Sequence, residues 1–398
     1  MHSSSTFMTE FAGRMKSFCH SLLTEMQLQN FLVDVTEIDH ACYRVGTVER
    51  YEEVRGQLLQ QGTLLSEALI NGRPIATFQL KEPVIVTDKQ GTSWPVGLVE
   101  LPAPKPGRVY DEGFEHIEAV TSIDLKEFVD RHKTHAFDCA HLAAPINGDV
   151  SLHFPAGLVK FHEASLAAVI SKEKRVLASR KVRPLVMMDF DDTLLNSKEP
   201  FLSAMAAALS SHLGKDVALD IVRDKAKPTF PEFFAGFGVT TTASSAALLA
   251  LFQEAWQGVA AQCKVPTGII SMLSCLLSEG IDIVVWTARD KATTEASLTQ
   301  FGMSPFISGI DGYLPTCASK PNPSEELRRL CAGRPVAVIG DSYSDAQGAR
   351  ELGCPFIQAT WVHHKHIRPS AEHPCAVAQS PHSAAALALK HLSPLNKV

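Results

Sequence analysis

The stretch Leu185-Val186-Met187-Met188-Asp189-Phe190-Asp191-Asp192-Thr193 decides how the second half of this chain folds. Its apolar run has the length and composition of a parallel strand buried on both faces, and it breaks abruptly into three acidic residues and a threonine. In open α/β sheets, ligands bind in the crevice beyond the carboxyl ends of the strands, so acids placed there indicate chemistry. An acidic turn that caps the next helix is the alternative interpretation, because Asp and Thr are both good caps.

Two later apolar runs also end in reactive side chains. Residues 281–286 are followed by Thr287, and residues 336–339 are followed by Asp341 and Asp345, with Lys320 in a polar loop between the two runs. From residue 184 onward, short apolar runs alternate with helical stretches, which predicts a parallel sheet in an α/β domain. The carboxyl ends of such strands meet at one edge, so we expect these side chains to share one site.

Each residue type has a role if the substrate is a phosphate ester. Asp189 is the expected nucleophile, which forms an aspartyl-phosphate, and Asp191 is the expected general acid and base. Thr287 and Lys320 are expected to hold the phosphoryl oxygens. A hard divalent cation would mask the negative charges of nucleophile and substrate. Its expected ligands are Asp189 and Asp341, while Asp345 would orient a metal-bound water or Lys320; the backbone carbonyl of Asp191 is a further ligand only by the resemblance described next.

The four segments, in this order, resemble the haloacid dehalogenase superfamily. Residues 189–193 resemble its first motif, Thr287 its second, Lys320 its third and residues 340–345 its fourth. The resemblance implies a magnesium-dependent phosphatase or phosphotransferase on a Rossmann-like sheet. The mostly helical residues from about 197 to 278 resemble the helical cap that covers the site in many members of that superfamily.

The N-terminal half has a different pattern, in which period-two runs are separated by helical segments. Strands are predicted over residues 38–44, 75–80, 84–86 and 96–100, with a helix over 48–61, and together they make a βαβββ unit. A looser second copy begins at residue 114, and its last strands are predicted over 150–154 and 158–162.

Strand alternation in this half predicts a polar face. A curved sheet would gather His40, Glu100 and His116, a set suited to a divalent metal with open coordination positions. Cys42 and Arg44 are expected on the same face of the first strand. A hydrogen-bonded polar face without a metal is the alternative interpretation.

Several segments of this half resemble the bacterial YecM family of the vicinal oxygen chelate superfamily, of which glyoxalase is the familiar enzyme. The most specific are Ile70-Asn71-Gly72-Arg73-Pro74-Ile75 and Glu115-His116-Ile117-Glu118. The resemblance covers residues from about 10 to 170 and implies an α+β domain of paired βαβββ modules. It also implies a metal site at His40, Glu100 and His116, with His162 as a fourth ligand, for Zn²⁺, Mn²⁺, Ni²⁺ or iron. It implies no substrate.

Length and composition set the organisation. A chain of 398 residues predicts two domains, which we place at residues 1–170 and 184–398, joined by a basic connector over 171–183. A net charge of −6 gives no general attraction to nucleic acid or to an anionic membrane. The nine cysteines are scattered and never spaced as CxxC, which favours a reducing compartment such as the cytoplasm.

The segments near the two ends of the chain, residues 7–32 and the histidines from residue 363 onward, can each be interpreted in two ways. Residues 7–32 are predicted to form an amphipathic helix of the first domain, with a mitochondrial presequence as the alternative interpretation. His363, His364 and His366 are predicted to lie in a solvated loop and not in a metal site.

The expected function is magnesium-dependent hydrolysis of a small phosphorylated metabolite. One alternative is a bifunctional protein whose N-terminal domain is a metal-dependent lyase, isomerase or dioxygenase. Another is a non-catalytic binding or scaffold protein. The expected partner is the small phosphorylated substrate, with no nucleic acid and no membrane, while the oligomeric state is left open.

Overall fold

The computed structural model of the chain describes residues 2–105, 107–144, 147–179, 182–227, 230–315, 320–363 and 375–392. It divides into two compact units, Met1–Arg180 and Lys181–Val398. Within the described ranges, no helix has the length and apolar character that crossing a membrane requires.

Among its described residues, the N-terminal unit contains seven strands and four helices. The strands are β1 (Val35–Arg44), β2 (Gly62–Ile70), β3 (Arg73–Thr87), β4 (Ser93–Pro102), β5 (Gly113–Thr121), β6 (Asp149–Phe154) and β7 (Gly157–His162). The helices are α1 (His2–Leu28), α2 (Val48–Gln61), α3 (Leu125–Arg131) and α4 (Leu166–Ala178). All seven strands form one sheet in the order β2-β3-β4-β1-β5-β7-β6.

The two predicted modules share this sheet. In the first, β1 and α2 are followed by three strands, and β1 pairs in parallel with β4. In the second, β5 and α3 are followed by β6 and β7, and β5 pairs in parallel with β7. Among the described residues this second module has three strands and lacks an equivalent of β2. At the position of that missing strand, β6 makes only a single bridge, between Ser151 and Asp138.

The strands of the first module differ from those predicted. The runs at 75–80 and 84–86 belong to one strand, β3, and the strand that completes the module is β2, which the pattern did not reveal. In the pairing of β3 with β4, Gln79 lies opposite Leu98 and Val84 lies opposite Val96, so five positions along β3 correspond to two along β4. The residues between Gln79 and Val84 therefore form a bulge that contains Pro83, which interrupts the hydrophobic alternation without ending the strand.

Helix α1 is part of the core of the N-terminal unit. Its side chains Phe11, Met15, Leu22 and Leu23 are buried and belong to the same hydrophobic cluster as strand residues such as Phe78. The amphipathic helix predicted over residues 7–32 therefore packs on the sheet.

The C-terminal unit contains six strands and nine helices among the described residues. The strands are β8 (Leu185–Met188), β9 (Asp282–Asp290), β10 (Gly309–Tyr313), β11 (Val336–Gly340), β12 (Phe356–Ala359) and β13 (Cys375–Ala378). The helices are α5 (Lys198–Leu213), α6 (Leu219–Asp224), α7 (Phe230–Ala235), α8 (Thr242–Val259), α9 (Ile269–Ser278), α10 (Lys291–Gln300), α11 (Glu325–Cys331), α12 (Tyr343–Glu351) and α13 (Pro381–Leu392). The strand order is β10-β9-β8-β11-β12-β13, and every neighbouring pair is parallel. The predicted Rossmann-like α/β architecture is confirmed.

Helices α5 to α8 form an insert whose two connections to the sheet pair with each other. The N–H of Asn196 donates to the carbonyl of Lys264 over 2.8 Å, and the N–H of Lys264 donates to the carbonyl of Asn196 over 3.3 Å. The insert is therefore shorter than the predicted 197–278, because α9 follows the return connection and packs against β9 and α13. Its aromatic residues pack on one another, as Phe230 does with Phe234 at a ring separation of 5.1 Å.

A buried histidine makes the stability of the C-terminal unit depend on pH. The Nε2 atom of His382 on α13 lies 2.7 Å from the hydroxyl of Ser271 on α9, and burial lowers the pKa of His382 to about 4. An unfolded histidine takes up a proton near pH 6.5, whereas the folded one does not. We therefore expect the free energy of unfolding to fall between about pH 6.5 and pH 4, by at most about 3 kcal/mol.

Denaturant unfolding of the full chain across this pH range checks the prediction. The His382→Gln variant should show a flatter pH dependence, while the matched change at the exposed His391 at the end of the same helix should leave the dependence unchanged. An identical slope in the wild type and in His382→Gln would contradict it.

Candidate active site

The carboxyl ends of β8, β9 and β11 meet at one edge of the C-terminal sheet. Met188, the last residue of β8, aligns with Val285 of β9 and with Ile339 of β11. Asp189 and Asp341 therefore follow neighbouring parallel strands at nearly the same level, and Thr287 lies two residues beyond Val285.

Lys320 links two acids at this edge. Its Nζ atom lies 2.5 Å from Oδ1 of Asp189, forms an ion pair with Oδ1 of Asp345, and donates to the carbonyl of Trp286 over 3.2 Å. Burial alone lowers the pKa of Lys320, but the charges of the two aspartates outweigh burial and raise the pKa above its usual value. Lys320 therefore stays protonated and holds Asp189 in place.

Asp189, Asp341 and Asp345 form an acidic cluster whose oxygens lie within 4.8 Å of one another. Burial raises the pKa of Asp189 to about 7, because the repulsion from Asp345 and Asp191 adds to burial and Lys320 offsets only part of it. Burial and the charges of Asp189, Asp345 and Asp192 raise the pKa of Asp341 well above its ordinary value. Carboxylates that repel each other in a buried site, and that offer only oxygen atoms, fit a hard cation such as Mg²⁺.

Arg289 is a residue of this site that sequence reasoning missed. Its Nε atom donates to Oδ2 of Asp191 over 3.0 Å, and its Nη2 atom forms an ion pair with Oδ1. The guanidinium is 1 % exposed and lies 3.8 Å from the ring centre of Trp256 on α8. Arg289 thus holds both oxygens of Asp191 beneath the inserted helices. The available signal was its position two residues after Thr287 on β9.

The remaining predicted residue, Thr287, is buried on β9. Its hydroxyl accepts a hydrogen bond from the backbone N–H of Arg289 over 3.1 Å. Thr287 therefore lies at the same strand end as the aspartates, with Arg289 as its described hydrogen-bond partner.

The loop that follows Asp191 is organised by Asp192. This residue has a φ of 58°, and its Oδ1 accepts hydrogen bonds from the backbone N–H groups of Ser197 and Lys198. Its Oδ2 lies 2.6 Å from Nε2 of His363. His363 lies in the loop after β12 and its side chain is 36 % exposed, so the prediction of a solvated loop agrees with the structure at this residue, while the contact with Asp192 was not predicted. His364 and His366 lie outside the described residues.

A second polar site lies on the sheet of the N-terminal unit, and we call it the histidine–glutamate cluster. It consists of His40 on β1, Glu100 on β4, His116 and Glu118 on β5, and His162 on β7. Glu118 is central, because its oxygens lie 3.5 Å from Nε2 of His40, 3.2 Å from Nε2 of His116 and 2.5 Å from Nε2 of His162. Glu118 was not among the ligands expected from the sequence.

Two histidines of this cluster are oriented by acidic residues that contact their Nδ1 atoms. The Nδ1 atom of His40 lies 2.9 Å from Asp39, and that of His116 lies 3.1 Å from Glu115, so both Nε2 atoms face Glu118. Burial lowers the pKa of His40, but the charge of Glu118 together with the hydrogen bonds to Asp39, Glu100 and Glu118 outweighs burial and raises the pKa well above its ordinary value. A carboxylate on Nδ1 is the arrangement that orients histidine ligands in metal sites.

The histidine–glutamate cluster has the composition of a metal site. Nε2 atoms of His40, His116 and His162 are buried without a well-directed hydrogen bond. Ligand atoms of His40, His116 and Glu118 lie within 4.8 Å of one another, whereas Glu100 groups with Cys42 and His116. Lys160 lies 2.8 Å from Glu118 and neutralises part of its charge, as the alternative without a metal requires.

Two known families match the chain in succession. Residues 8–154 match the family described as YecM protein, and residues 186–359 match the family described as haloacid dehalogenase-like hydrolase. Each match falls within one structural unit; the first includes His40, Glu100, His116 and Glu118 but ends before His162, and the second includes the acidic cluster and Lys320.

Individual relatives follow the same division. The chain is 38% identical over 114 residues to Protein YecM of Escherichia coli (strain K12), covering 28% of this chain and 56% of that relative, so it spans about half of the relative's length. It is 28% identical over 180 residues to a phosphoglycolate phosphatase of Caulobacter vibrioides, covering 43% of this chain and 76% of that protein. Among solved structures, a predicted phosphoglycolate phosphatase from Haemophilus somnus 129pt aligns with a TM-score of 0.43 at 18% identity, over 52% of this chain and 97% of that chain. The chain therefore combines an N-terminal domain that matches the YecM family with a C-terminal domain that matches the haloacid dehalogenase-like hydrolase family.

Proposed function

We propose that the C-terminal domain is a magnesium-dependent phosphatase that hydrolyses small phosphomonoesters through an aspartyl-phosphate on Asp189. The observation that carries this proposal is the contact of Asp189 with Lys320 beside Asp341 and Asp345. A buried carboxylate held by a lysine at a strand end is suited to nucleophilic attack on a phosphorus atom.

The first half of the reaction transfers the phosphoryl group. Asp189 attacks phosphorus, the ester P–O bond breaks, and the leaving oxygen takes a proton from Asp191. Lys320 and Thr287 bind the phosphoryl oxygens, whose charge increases during transfer. When bound at the acidic cluster, Mg²⁺ supplies the charge neutralisation that lets an anionic nucleophile approach an anionic substrate.

The second half restores the enzyme. Asp191 takes a proton from a water molecule, whose oxygen attacks the aspartyl-phosphate and releases inorganic phosphate. Asp191 ends protonated and Asp189 ends as a free carboxylate, so the cycle closes. Since Arg289 binds both oxygens of Asp191, we propose that the inserted helices must loosen this contact when substrate binds.

The first substrate to test is 2-phosphoglycolate, because the curated relative from Caulobacter vibrioides is a phosphoglycolate phosphatase. The experiment measures phosphate release from a panel of phosphorylated metabolites by the full chain, with Mg²⁺ and with a chelator. We expect turnover that requires Mg²⁺ and differs among substrates. Absence of Mg²⁺-dependent release from every member of the panel would refute the proposal.

Gly340 provides a test of how tightly Asp345 is placed. A Cβ atom at Gly340 would lie 2.1 Å from Cγ of Asp345, which is far inside contact distance. We expect Gly340→Ala to displace Asp345 from Lys320 and to lower kcat/KM by about 100-fold, because a shift of about 1 Å in a catalytic group has effects of that size. Initial rates of phosphate release measure this.

The matched control is Gly258→Ala on α8, where an added Cβ meets nothing within 4 Å. It should retain full activity and gain slight stability, since alanine favours helices. Equal activity of Gly340→Ala and the wild type would show that Asp345 has room to move.

We also propose that the N-terminal domain binds a divalent transition metal at the histidine–glutamate cluster. The specific observation is the set of buried Nε2 atoms of His40, His116 and His162 directed at Glu118. Mixed imidazole and carboxylate ligands suit Zn²⁺, Mn²⁺, Ni²⁺ or iron. The second activity of the chain would then be a metal-dependent lyase, isomerase or dioxygenase reaction.

Elemental analysis of the purified full chain tests this second site. We expect Glu118→Gln and His116→Ala to lower the transition-metal content by at least about tenfold, because each removes a ligand. Asp341→Asn, which alters only the C-terminal cluster, should leave that content unchanged. Transition-metal content that is independent of Glu118 and His116 would refute the site.

A further inference from the structure

Two arginines lie at the end of the N-terminal sheet next to the histidine–glutamate cluster. Arg44 is the last residue of β1, and Arg73 is the first residue of β3. Glu100 of β4 pairs with Cys42 on one side and with Thr77 on the other. Because side chains alternate along a strand, Arg44 and Arg73 share the face of Glu100.

Both arginines have buried donors that lack a hydrogen-bond partner among the residues that the structure describes. Arg44 donates from Nε to Glu115 over 2.7 Å and lies over the ring of Tyr110, but its Nη1 atom is buried without a partner. Arg73 is 7 % exposed, and its Nη1 atom donates to the carbonyl of Ala103 over 2.8 Å, while its Nε atom is buried without a partner.

Arg73 has no carboxylate within ion-pair distance among the residues that the structure describes. Burial lowers the pKa of Arg73, and the nearby charge of Arg44 lowers it further, while Tyr110, Cys42 and Glu100 offset only part of this. A buried cation without a paired anion carries a large free-energy penalty, and an anion bound beside it would offset that penalty.

The geometry of the donors indicates which anion fits. A guanidinium presents planar, forked N–H donors that match the oxygens of a carboxylate or a phosphate, and two such groups on one face add their charges. The nearby histidine–glutamate cluster offers Lys160 to a second polar group of the same molecule.

We propose that Arg44 and Arg73 form a binding subsite for the oxyanion, a carboxylate or a phosphate, of a small metabolite whose other end contacts the histidine–glutamate cluster. The N-terminal domain then binds an anionic small molecule of its own. This site is separate from the phosphatase residues and does not depend on their assignment.

Isothermal titration of the full chain with inorganic phosphate and, separately, with malonate tests this proposal. A chelator is present, so that neither metal site contributes. We expect at least one probe to bind, and Arg73→Gln and Arg44→Gln each to weaken that binding by tenfold or more. Binding of phosphate alone assigns the subsite to a phosphate group, and binding of malonate assigns it to a carboxylate.

Three variants make the result specific. Arg175→Gln, at an exposed position on α4, should bind both probes as the wild type does. Lys320→Met identifies any phosphate that binds at the C-terminal site, because this variant should lose only the part of the phosphate binding that occurs there. Arg44 is more accessible than Arg73, so Arg44→Gln remains informative if Arg73→Gln does not fold. Probe binding that is unchanged in Arg44→Gln, or absent for both probes in the wild type, would overturn the proposal.

Discussion

Replacement of Asp189 by asparagine should abolish phosphate release, with a loss of at least about 1,000-fold, or roughly 4 kcal/mol of transition-state stabilisation. The amide has nearly the same shape as the carboxylate but cannot attack phosphorus or form the acyl-phosphate. The fold should persist, because burial and the neighbouring acids raise the pKa of Asp189 to about 7 and so penalise its charged form. Steady-state rates and the thermal midpoint of unfolding, measured on the same preparation, separate lost chemistry from lost structure.

Asp220→Asn is the matched control, since it makes the same change at an exposed residue of α6 whose described contact is the ion pair with Arg223. It should retain full activity. Appreciable turnover by Asp189→Asn would remove this residue from the role of nucleophile, while turnover lost together with the thermal midpoint would indicate a structural role.

Lys320→Met should affect both activity and stability. The substitution removes the buried cation that contacts Asp189 and Asp345 and leaves the acidic cluster uncompensated. We expect kcat/KM to fall on the order of 100-fold or more, and the chelated protein to lose about 3 kcal/mol of unfolding free energy. Added Mg²⁺ should restore part of the stability, because it binds the acidic cluster of the folded state.

The pH dependence of this variant follows from Asp189. Its folded pKa of about 7 lies above the ordinary value of 3.8, so the folded protein binds the extra proton and its stability falls as pH rises from about 4 to 7. Without Lys320, which lowers that pKa, the decline should extend to higher pH. Denaturant unfolding with a chelator at several pH values measures this.

Lys291→Met at the exposed start of α10 is the matched control for the loss of a positive charge in the same unit. Its unfolding free energy should keep the pH dependence of the wild type. A Lys320→Met protein as stable as the wild type with a chelator present would mean that the acidic cluster is neutralised by protons alone.

Local patterns were sufficient to predict the sheet of the C-terminal unit and the acids at its edge. An apolar run that ends in acids identifies both a buried strand and the end of that strand, and parallel pairing then places Asp189 and Asp341 together. The strands of the N-terminal unit were harder to assign, because the bulge in β3 interrupts the alternation on which the prediction of strands depends.

Sequence patterns alone predict the two-domain organisation, the parallel α/β architecture and the residue types at each strand end, since these depend on short-range periodicity. The contacts between polar groups follow only from the tertiary structure. It placed Glu118 among His40, His116 and His162, brought Arg289 onto Asp191, and left Arg44 and Arg73 with buried donors. The physical reason is that such contacts join strands or helices far apart in the chain, and register, bulges and burial, which local periodicity does not encode, decide which side chains meet.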